Sequence, residues 1–203
     1  MVNNDSQHIV KILSETDYAS LFYYSNKSSI DSVWQNGKNQ KKIEKIVTDS
    51  KYSNYVRFLA SEILFEKMKD YPPDTLRTEL AKIYTEALMR TGGEVSKFRL
   101  SGNAWGLLYE LDDVGILGKH LISFGIYVIP YLINLLDNTE VVYYEGSKEA
   151  TLGNSYKLRI KDFSAFFLGK IKTIPLKYYA NNDERDLQIG RLKETLKIPQ
   201  NEQ

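Results

Sequence analysis

Two segments of the chain decide its fold: GIYVIPYLINLLDN, residues 125–138, and YKLRIKDFSAFFLGKIKTIP, residues 156–175. Their apolar side chains recur at intervals of three and four residues, which places them on one face of an α-helix. Pro130 stands in the first turn of the first helix, where a residue without an N–H is tolerated. The two segments therefore predict a pair of amphipathic helices with a polar insert between them.

The helical pattern continues over most of the chain, and no segment alternates convincingly over the length of a strand. Residues 141–144 are the one plausible extended piece, and residues 26–39 read as a connector because Asn, Ser and Gly dominate them. The sequence therefore predicts an all-α fold. Helices are expected at 9–24 (one helix or two broken turns), 40–49, 54–69, 76–88, 103–110, 114–124, 126–136, 157–171 and 183–196.

Composition sets limits on the domain and its partners. The 203 residues are enough for one sizeable helical domain, 1–203, with loose ends at 1–8 and 197–203. Hydrophobic residues make up 42% and charged residues 26%, values typical of a soluble globular protein. The net charge of +1 gives no global field to concentrate nucleic acid. We therefore expect a protein partner rather than a nucleic acid, with the oligomeric state left open.

The residues that commonly carry catalysis are scarce. The chain has no cysteine, which excludes thiolate nucleophiles and cysteine-bound metals, and its 2 histidines lie far apart in the sequence. The segment GILGKH, residues 115–120, lacks the spacing and the Ser or Thr of a phosphate-binding loop. We therefore predict no catalytic residue, no cofactor and no metal site, and we expect a protein that is not an enzyme.

The sequence also bears on location. No apolar run reaches the length of about 18–20 residues that crosses a bilayer, and the N-terminus lacks the pattern of a signal peptide. At face value these features predict a cytoplasmic protein without a transmembrane segment. A polar start of this kind also fits a chain whose leader has been removed, in which case an exported or lipid-anchored protein is expected.

Two nine-residue blocks, VRFLASEIL at 56–64 and IKDFSAFFL at 160–168, share β-branched, basic, small and leucine positions in register. Each resembles the second helix of a HEAT-type repeat, and residues 129–137 resemble the first helix. The resemblance to the HEAT/armadillo-like α-solenoid superfamily implies a short right-handed stack of antiparallel helix pairs. It also implies that Arg57 and Lys161 are structural, with Asp49 and Asp137 as candidate partners. Such stacks commonly hold a partner.

One interval departs from a regular repeat. Asp137 and Lys161 are separated by about sixteen residues more than Asp49 and Arg57, which defines an insert at residues 138–156. Long loops often carry binding residues, although this insert could equally be a solvated hairpin that covers a repeat edge. We expect a Gly/Ser linker in place of residues 143–154 to leave the helices intact. The candidate partner-binding residues are Tyr143, Tyr144, Glu145, Ser147 and Lys148.

Three functions remain open from the sequence. The first is a non-catalytic protein–protein interaction module of adaptor or inhibitor type, such as a bacterial immunity protein. The second is a nucleic-acid-binding or base-processing HEAT-like protein that uses the basic run at residues 38–51. The third is a surface-anchored bacterial protein of unknown role. The 15 tyrosines favour a binding surface, although compositional drift in a proteome rich in Lys, Asn and Tyr explains them as well.

Overall fold

The computed structural model describes residues 4–22, 28–92, 100–108, 113–177 and 180–197. Within these ranges the chain forms α-helices, three short 3-10 helices and isolated β-bridges rather than strands, so the predicted all-α class is confirmed. The helices are α1 (Asn4–Glu15), α2 (Tyr18–Phe22), α3 (Ser28–Trp34), α4 (Gln40–Thr48), α5 (Asn54–Lys67), α6 (Arg77–Met89), α7 (Gly102–Trp105), α8 (Ile116–Ser123), α9 (Ile129–Ile133), α10 (Ser147–Tyr156), α11 (Ile160–Lys172) and α12 (Asn182–Thr195). The 3-10 helices are Gln35–Gly37, Asp74–Leu76 and Gly125–Val128.

Contacts along the chain define two compact units. Unit 1 contains the described residues through Arg90 together with Leu100, and unit 2 contains Thr91, Gly92 and the described residues from Ser101 onward. Helices α1 to α6 therefore belong to unit 1 and helices α7 to α12 to unit 2. Each unit is described by itself below.

Helix α5 forms the centre of unit 1 and packs against α4 on one side and α6 on the other. Its start is fixed by Ser53, whose side-chain oxygen accepts a hydrogen bond from the Val56 N–H at 3.3 Å. Leu59 and Ile63 are fully buried, as the apolar stripe of this segment predicts. The predicted helix at 54–69 is thus observed with an end two residues earlier.

Arg57 on α5 ties three helices of unit 1 together. Its Nε donates to the Val47 carbonyl at the end of α4 at 2.8 Å, and an Nη atom pairs with Glu79 of α6 at 2.6 Å. The structural role expected for Arg57 fits these contacts, but its expected partner was wrong. Asp49 pairs with Lys51 at 2.9 Å instead. Arg57 binds the Val47 carbonyl because a carbonyl in the last turn of a helix has no partner within that helix.

Several predicted boundaries differ from the structure. The segment predicted as a connector contains α3, because Ile30 and Val33 lie three residues apart on one buried face that the polar composition concealed. Helix α1 begins at Asn4, so the expected loose N-terminus at 1–8 is largely helical, while residues 1–3 lie outside the described residues. At the other end α12 finishes at Thr195, and residues 198–203 of the expected loose C-terminus also lie outside the described residues.

The core of unit 2 forms around Trp105, which is fully buried at the end of α7. The indole N–H donates to the Thr91 hydroxyl at 2.9 Å, and the ring lies 6.2 Å from that of Phe167 on α11. A Cβ atom at Gly118 would come within 2.6 Å of the Trp105 carbonyl oxygen, so the small residue lets α8 approach α7 closely.

Membrane-spanning potential is limited among the described helices. No single one is both long enough and apolar enough to cross a bilayer. Residues Ile116–Ser123 and Gly125–Ile133 meet the length and composition criteria only as a pair, and the pair is bent by 103°.

The first testable prediction concerns α5. Replacing Leu59 or Ile63 with Ala should lower the free energy of unfolding by about 2–4 kcal/mol, because each change leaves a cavity in a packed core. Urea denaturation followed by far-ultraviolet circular dichroism measures the change. Met89→Ala is the control, since this apolar side chain on α6 is 39% exposed and should cost no more than about 0.5 kcal/mol. Equal stability of all three variants would mean that α5 buries a different face.

Candidate protein-binding surface

The insert between α9 and α11, residues 138–156, is an ordered part of unit 2. Its first half is extended: the Val142 N–H donates to the Leu158 carbonyl at 2.8 Å, and the Ile160 N–H donates to the Glu140 carbonyl at 2.9 Å. Its second half is helix α10. The β-bridges at Val141 and Val142 agree with the extended piece predicted at 141–144, whereas the sequence did not predict α10.

Tyr144 is a core residue, and this corrects its place among the candidate contact residues. Its side chain is only 3% exposed, and its ring lies between two glycines. A Cβ at Gly102 would come within 2.7 Å of the ring, and one at Gly153 within 2.4 Å. The hydroxyl donates to the Gly106 carbonyl at 2.8 Å. Burial of the phenol, with a smaller contribution from the Asp113 charge, raises its pKa above the usual range.

The asparagines that follow these two glycines hold the backbone on either side of the ring. Asn103 accepts from the Glu145 N–H at 2.9 Å and donates to the Glu145 carbonyl at 3.0 Å. Asn154 accepts from the Tyr144 N–H at 2.8 Å and donates to the Tyr144 carbonyl at 3.3 Å. The Gly102–Asn103 and Gly153–Asn154 pairs, here called the two Gly-Asn clamps, therefore fix both the ring and the backbone of this segment.

The two Gly-Asn clamps were missed by the sequence analysis. Gly102 and Asn103 lie about forty residues before the segment that they contact, and no local spacing connects them to it. The signal that was present is the dipeptide itself, which occurs at these two places in the chain. Each clamp combines the residue that leaves room for a ring with a side chain that has both a donor and an acceptor.

The other four candidate residues are exposed and adjacent, and they form what we call the 143–148 edge: Tyr143, Glu145, Ser147 and Lys148. Tyr143 is 37% exposed, because side chains alternate along an extended segment and Tyr144 occupies the inner side. Gly146, with φ of 93°, turns the chain from the extended segment into α10. The structure thus separates Tyr144 from the predicted set and keeps the other four together.

A buried charge cluster lies where α11 and α12 meet. The Asp162 carboxylate has no exposed surface, and Arg159 contacts it through Nε at 3.0 Å and Nη2 at 2.9 Å. Arg185 of α12 approaches the same carboxylate at 3.3 Å. Arg159 also pairs with Asp186 at 2.7 Å, and Lys161 pairs with Asp186 at 2.8 Å. Burial opposes the charge of Arg159, but hydrogen bonds from its guanidinium to Asp162 and Asp186 raise its pKa.

Arg185 connects this cluster to the insert. One Nη atom donates to the Tyr156 carbonyl at 2.8 Å, and the other donates to the Ala180 carbonyl at 2.9 Å. Tyr156 ends α10, whose last carbonyls have no partner within the helix and attract a cation. The insert is therefore held at two points, by the buried Tyr144 within it and by Arg185 at its last residue.

The partners expected for Lys161 and Asp137 were wrong. Lys161 pairs with Asp186, while Asp137 pairs with Lys193 of α12. Both partners come from a helix that follows the repeat-like segment, so the repeat pattern alone could not indicate them. Helix α12 is therefore joined to the rest of unit 2 by the Lys161–Asp186 and Asp137–Lys193 ion pairs as well as by its buried Ile189 and Leu192.

The basic run weighed from the sequence, residues 38–51, lies in unit 1. Lys41 and Lys45 of the basic run are on the exposed side of α4, whose opposite side buries Ile43 and Ile46. Glu62 of α5 is only 3% exposed and accepts a hydrogen bond from the Tyr84 hydroxyl. Across the described residues, no three metal-ligating side chains come close enough together to hold an ion.

Comparison with known proteins assigns no family to the chain. No protein-family model matches it, and neither the curated proteins nor the solved structures give a significant match.

The second testable prediction concerns the two Gly-Asn clamps. Gly153→Ala should lower the free energy of unfolding by about 1–2 kcal/mol, because the new methyl group meets a ring that Gly102 holds from the other side. Gly190→Ala on α12 is the matched control: a Cβ there meets nothing within 4 Å. It should stabilise the protein by about 0.5–1 kcal/mol through helix propensity. Thermal and urea denaturation measure the change in unfolding free energy of both variants. If both were stabilised, the packing of the Tyr144 ring against Gly153 would be contradicted.

The same contacts revise the expectation for the linker replacement. Residues 143–154 include Tyr144, Gly153 and Asn154, so a Gly/Ser linker would remove a buried aromatic side chain and one clamp. We now expect the replacement to destabilise unit 2, since losing a buried aromatic ring costs about 3–5 kcal/mol.

The third testable prediction concerns pH. Burial opposes ionisation of Asp186, but hydrogen bonds from Arg159 and Lys161 lower its pKa. A lowered folded-state pKa gives stability that is present above the unfolded-state value, about 3.9, and is lost as pH falls through the folded-state value. Asp186→Asn should therefore lower the unfolding temperature at neutral pH, and its difference from the unchanged protein should shrink below about pH 4. Glu194→Gln on the same helix is the control, with no difference expected at either pH. A constant difference for Asp186→Asn would show that the contact does not depend on ionisation.

Proposed function

We propose that this protein is a non-catalytic module that binds another protein, in an adaptor or inhibitor role, through the 143–148 edge. The observation that supports this most is the combination of an exposed Tyr143 with a backbone fixed by the two Gly-Asn clamps. A fixed backbone loses little conformational entropy on binding, so more of the contact energy appears as affinity. An inhibitor of the bacterial immunity-protein type is the most specific form of this proposal.

The chemistry of the edge suggests the kind of surface that it fits. Tyr143 offers an aromatic body with a hydroxyl tip, the residue type that often dominates interface energies. Glu145 and Lys148 bring both signs of charge within a few residues of it. A matching partner would have an apolar pocket bordered by charges of both signs. A uniformly charged polyanion would meet repulsion at Glu145, which favours a protein over a nucleic acid.

We extend the proposal to the architecture, a short right-handed stack of HEAT-like helix pairs. In unit 1 Arg57 at the start of α5 bonds to Val47 near the end of α4. In unit 2 the matching residue, Lys161 at the start of α11, donates its main-chain N–H to the Asn138 carbonyl at 2.9 Å, in the segment that follows α9. The start of α5 and the start of α11 are thus each bonded to the chain at or beyond the end of an earlier helix, which supports a repeated helix pair.

The fourth testable prediction addresses the 143–148 edge. Because the chain has no cysteine, Tyr143→Cys creates a unique site for a benzophenone maleimide photo-crosslinker. Irradiated in extract of the native host, the labelled protein should form one dominant adduct with another protein. Tyr127→Cys is the matched control, since Tyr127 is 39% exposed against 37% for Tyr143 and lies in the same unit. The control should not form that adduct.

The captured protein is then purified and its affinity measured directly. Tyr143→Ala should weaken binding at least tenfold, on the scale of about 1.4 kcal/mol or more for an aromatic anchor, while Tyr127→Ala should leave it unchanged. The proposal fails if position 143 gives no adduct, if both positions give the same adducts, or if Tyr143→Ala binds as tightly as the unchanged protein.

A further inference from the structure

A second surface of unit 2 has a composition unlike that of the 143–148 edge. Residues 121–136 contain no charged side chain, in a protein where charged residues make up 26%. At the centre of this run the 3-10 helix Gly125–Val128 joins α8 to α9, and the two arms are bent by 103°. Ile126 at the bend is 71% exposed, the highest value among the exposed large hydrophobic residues in the described part of the chain. Tyr127 beside it is 39% exposed.

Two hydrogen bonds indicate which end of α11 lies near this bend. Lys161 donates its N–H to Asn138, and Ser164 donates its hydroxyl to Leu132. The residue paired with α11 moves from 138 back to 132 as α11 advances from 161 to 164. Residues 132–138 and the start of α11 therefore run antiparallel. Continuing in the same direction places the bend at Gly125–Val128 toward the C-terminal end of α11.

That end of α11 is basic. Lys170 and Lys172 are exposed in its last turn, and Lys177 follows in the next segment. Residues 163–182 contain no acidic side chain. The bend therefore lies toward the basic end of α11, and we group the exposed residues of both, Ile126, Tyr127, Lys170 and Lys172, under the name apolar-basic end.

We propose that the apolar-basic end binds the surface of a lipid bilayer that contains anionic phospholipids. An isoleucine at a protruding bend can enter the acyl region, and tyrosine is favoured at the level of the headgroups. Lysines beside them reach lipid phosphates through their long aliphatic stems and gain from the negative surface potential. The local charge supplies the attraction that the net charge of +1 does not.

An anionic bilayer fits these features better than a protein groove does. The apolar side chains are exposed at the bend, and the flanking runs, residues 121–136 and 163–182, contain no acidic group to pair with a basic partner. The charged side chains of the apolar-basic end are both positive, whereas the 143–148 edge carries a glutamate and a lysine. The proposal goes beyond the proposed protein-binding function, because it uses different residues and would place the protein at a membrane while that edge remains available.

The fifth testable prediction uses lipid vesicles of two compositions, phosphatidylcholine alone and phosphatidylcholine mixed with phosphatidylserine. The protein should sediment with the mixed vesicles and not with the neutral ones, and added salt should release it. Lys170→Gln combined with Lys172→Gln should reduce the partition coefficient roughly 25-fold, at about fivefold for each lysine. Ile126→Ser should reduce it about tenfold through the lost burial of an apolar side chain.

Matched controls separate this surface from the rest of unit 2. Leu187→Ser removes a 64% exposed apolar side chain of α12, and Lys148→Gln removes a lysine of the 143–148 edge. Both variants should sediment like the unchanged protein. Circular dichroism checks that every variant is folded.

An independent measurement uses the absence of cysteine again. An environment-sensitive fluorophore attached at Tyr127→Cys should shift to shorter wavelength when mixed vesicles are added, and the same label at Tyr143→Cys should not. The proposal is overturned if the protein ignores mixed vesicles, if it binds neutral vesicles equally, or if the label at 127 does not respond. It is also overturned if Leu187→Ser loses as much binding as Ile126→Ser, because binding would then reflect general adsorption.

Discussion

The Asp162 carboxylate is fully buried, and its neutralisation by two arginines is the constraint on which the rest of unit 2 depends. An ion buried without a partner costs several kcal/mol, and the two arginines offset this cost for Asp162. Arg159 precedes α11 and Arg185 lies on α12, which joins the last helix of the unit to its central one. Because Arg185 also binds the end of α10, the same charge balance fixes one end of the insert.

The contacts of Arg185 with Tyr156 and the burial of Tyr144 fix the backbone that carries the 143–148 edge. Between these two attachments the chain has little freedom, and Tyr143 and Glu145 point outward because Tyr144 points inward. The same extended segment therefore both anchors the insert and exposes its candidate contact residues. The apolar-basic end differs in kind, since its character comes from the composition of two sequence segments rather than from a clamp.

The sequence predicted best what depends on local periodicity. The apolar stripe of α5 was strong enough to place that helix to within two residues, and the same signal indicated α4, α11 and α12. Helix α3 was missed because polar residues outnumber its two buried ones. The partners of Arg57 and Lys161 were wrong because ion pairs join residues that are distant in sequence. Of the five candidate partner-binding residues, four are exposed and Tyr144 is buried. Alternation alone could not tell which of two adjacent tyrosines faces inward.

The two Gly-Asn clamps also limit how this surface could vary during evolution. Adding or deleting one residue between Tyr144 and Asn154 would move an amide away from the backbone that it holds, so the length of the insert is under structural selection. The outward-facing positions 143, 145, 147 and 148 carry no such restriction. New binding specificities would then arise by point substitution at these four positions, without a change in the length of the insert.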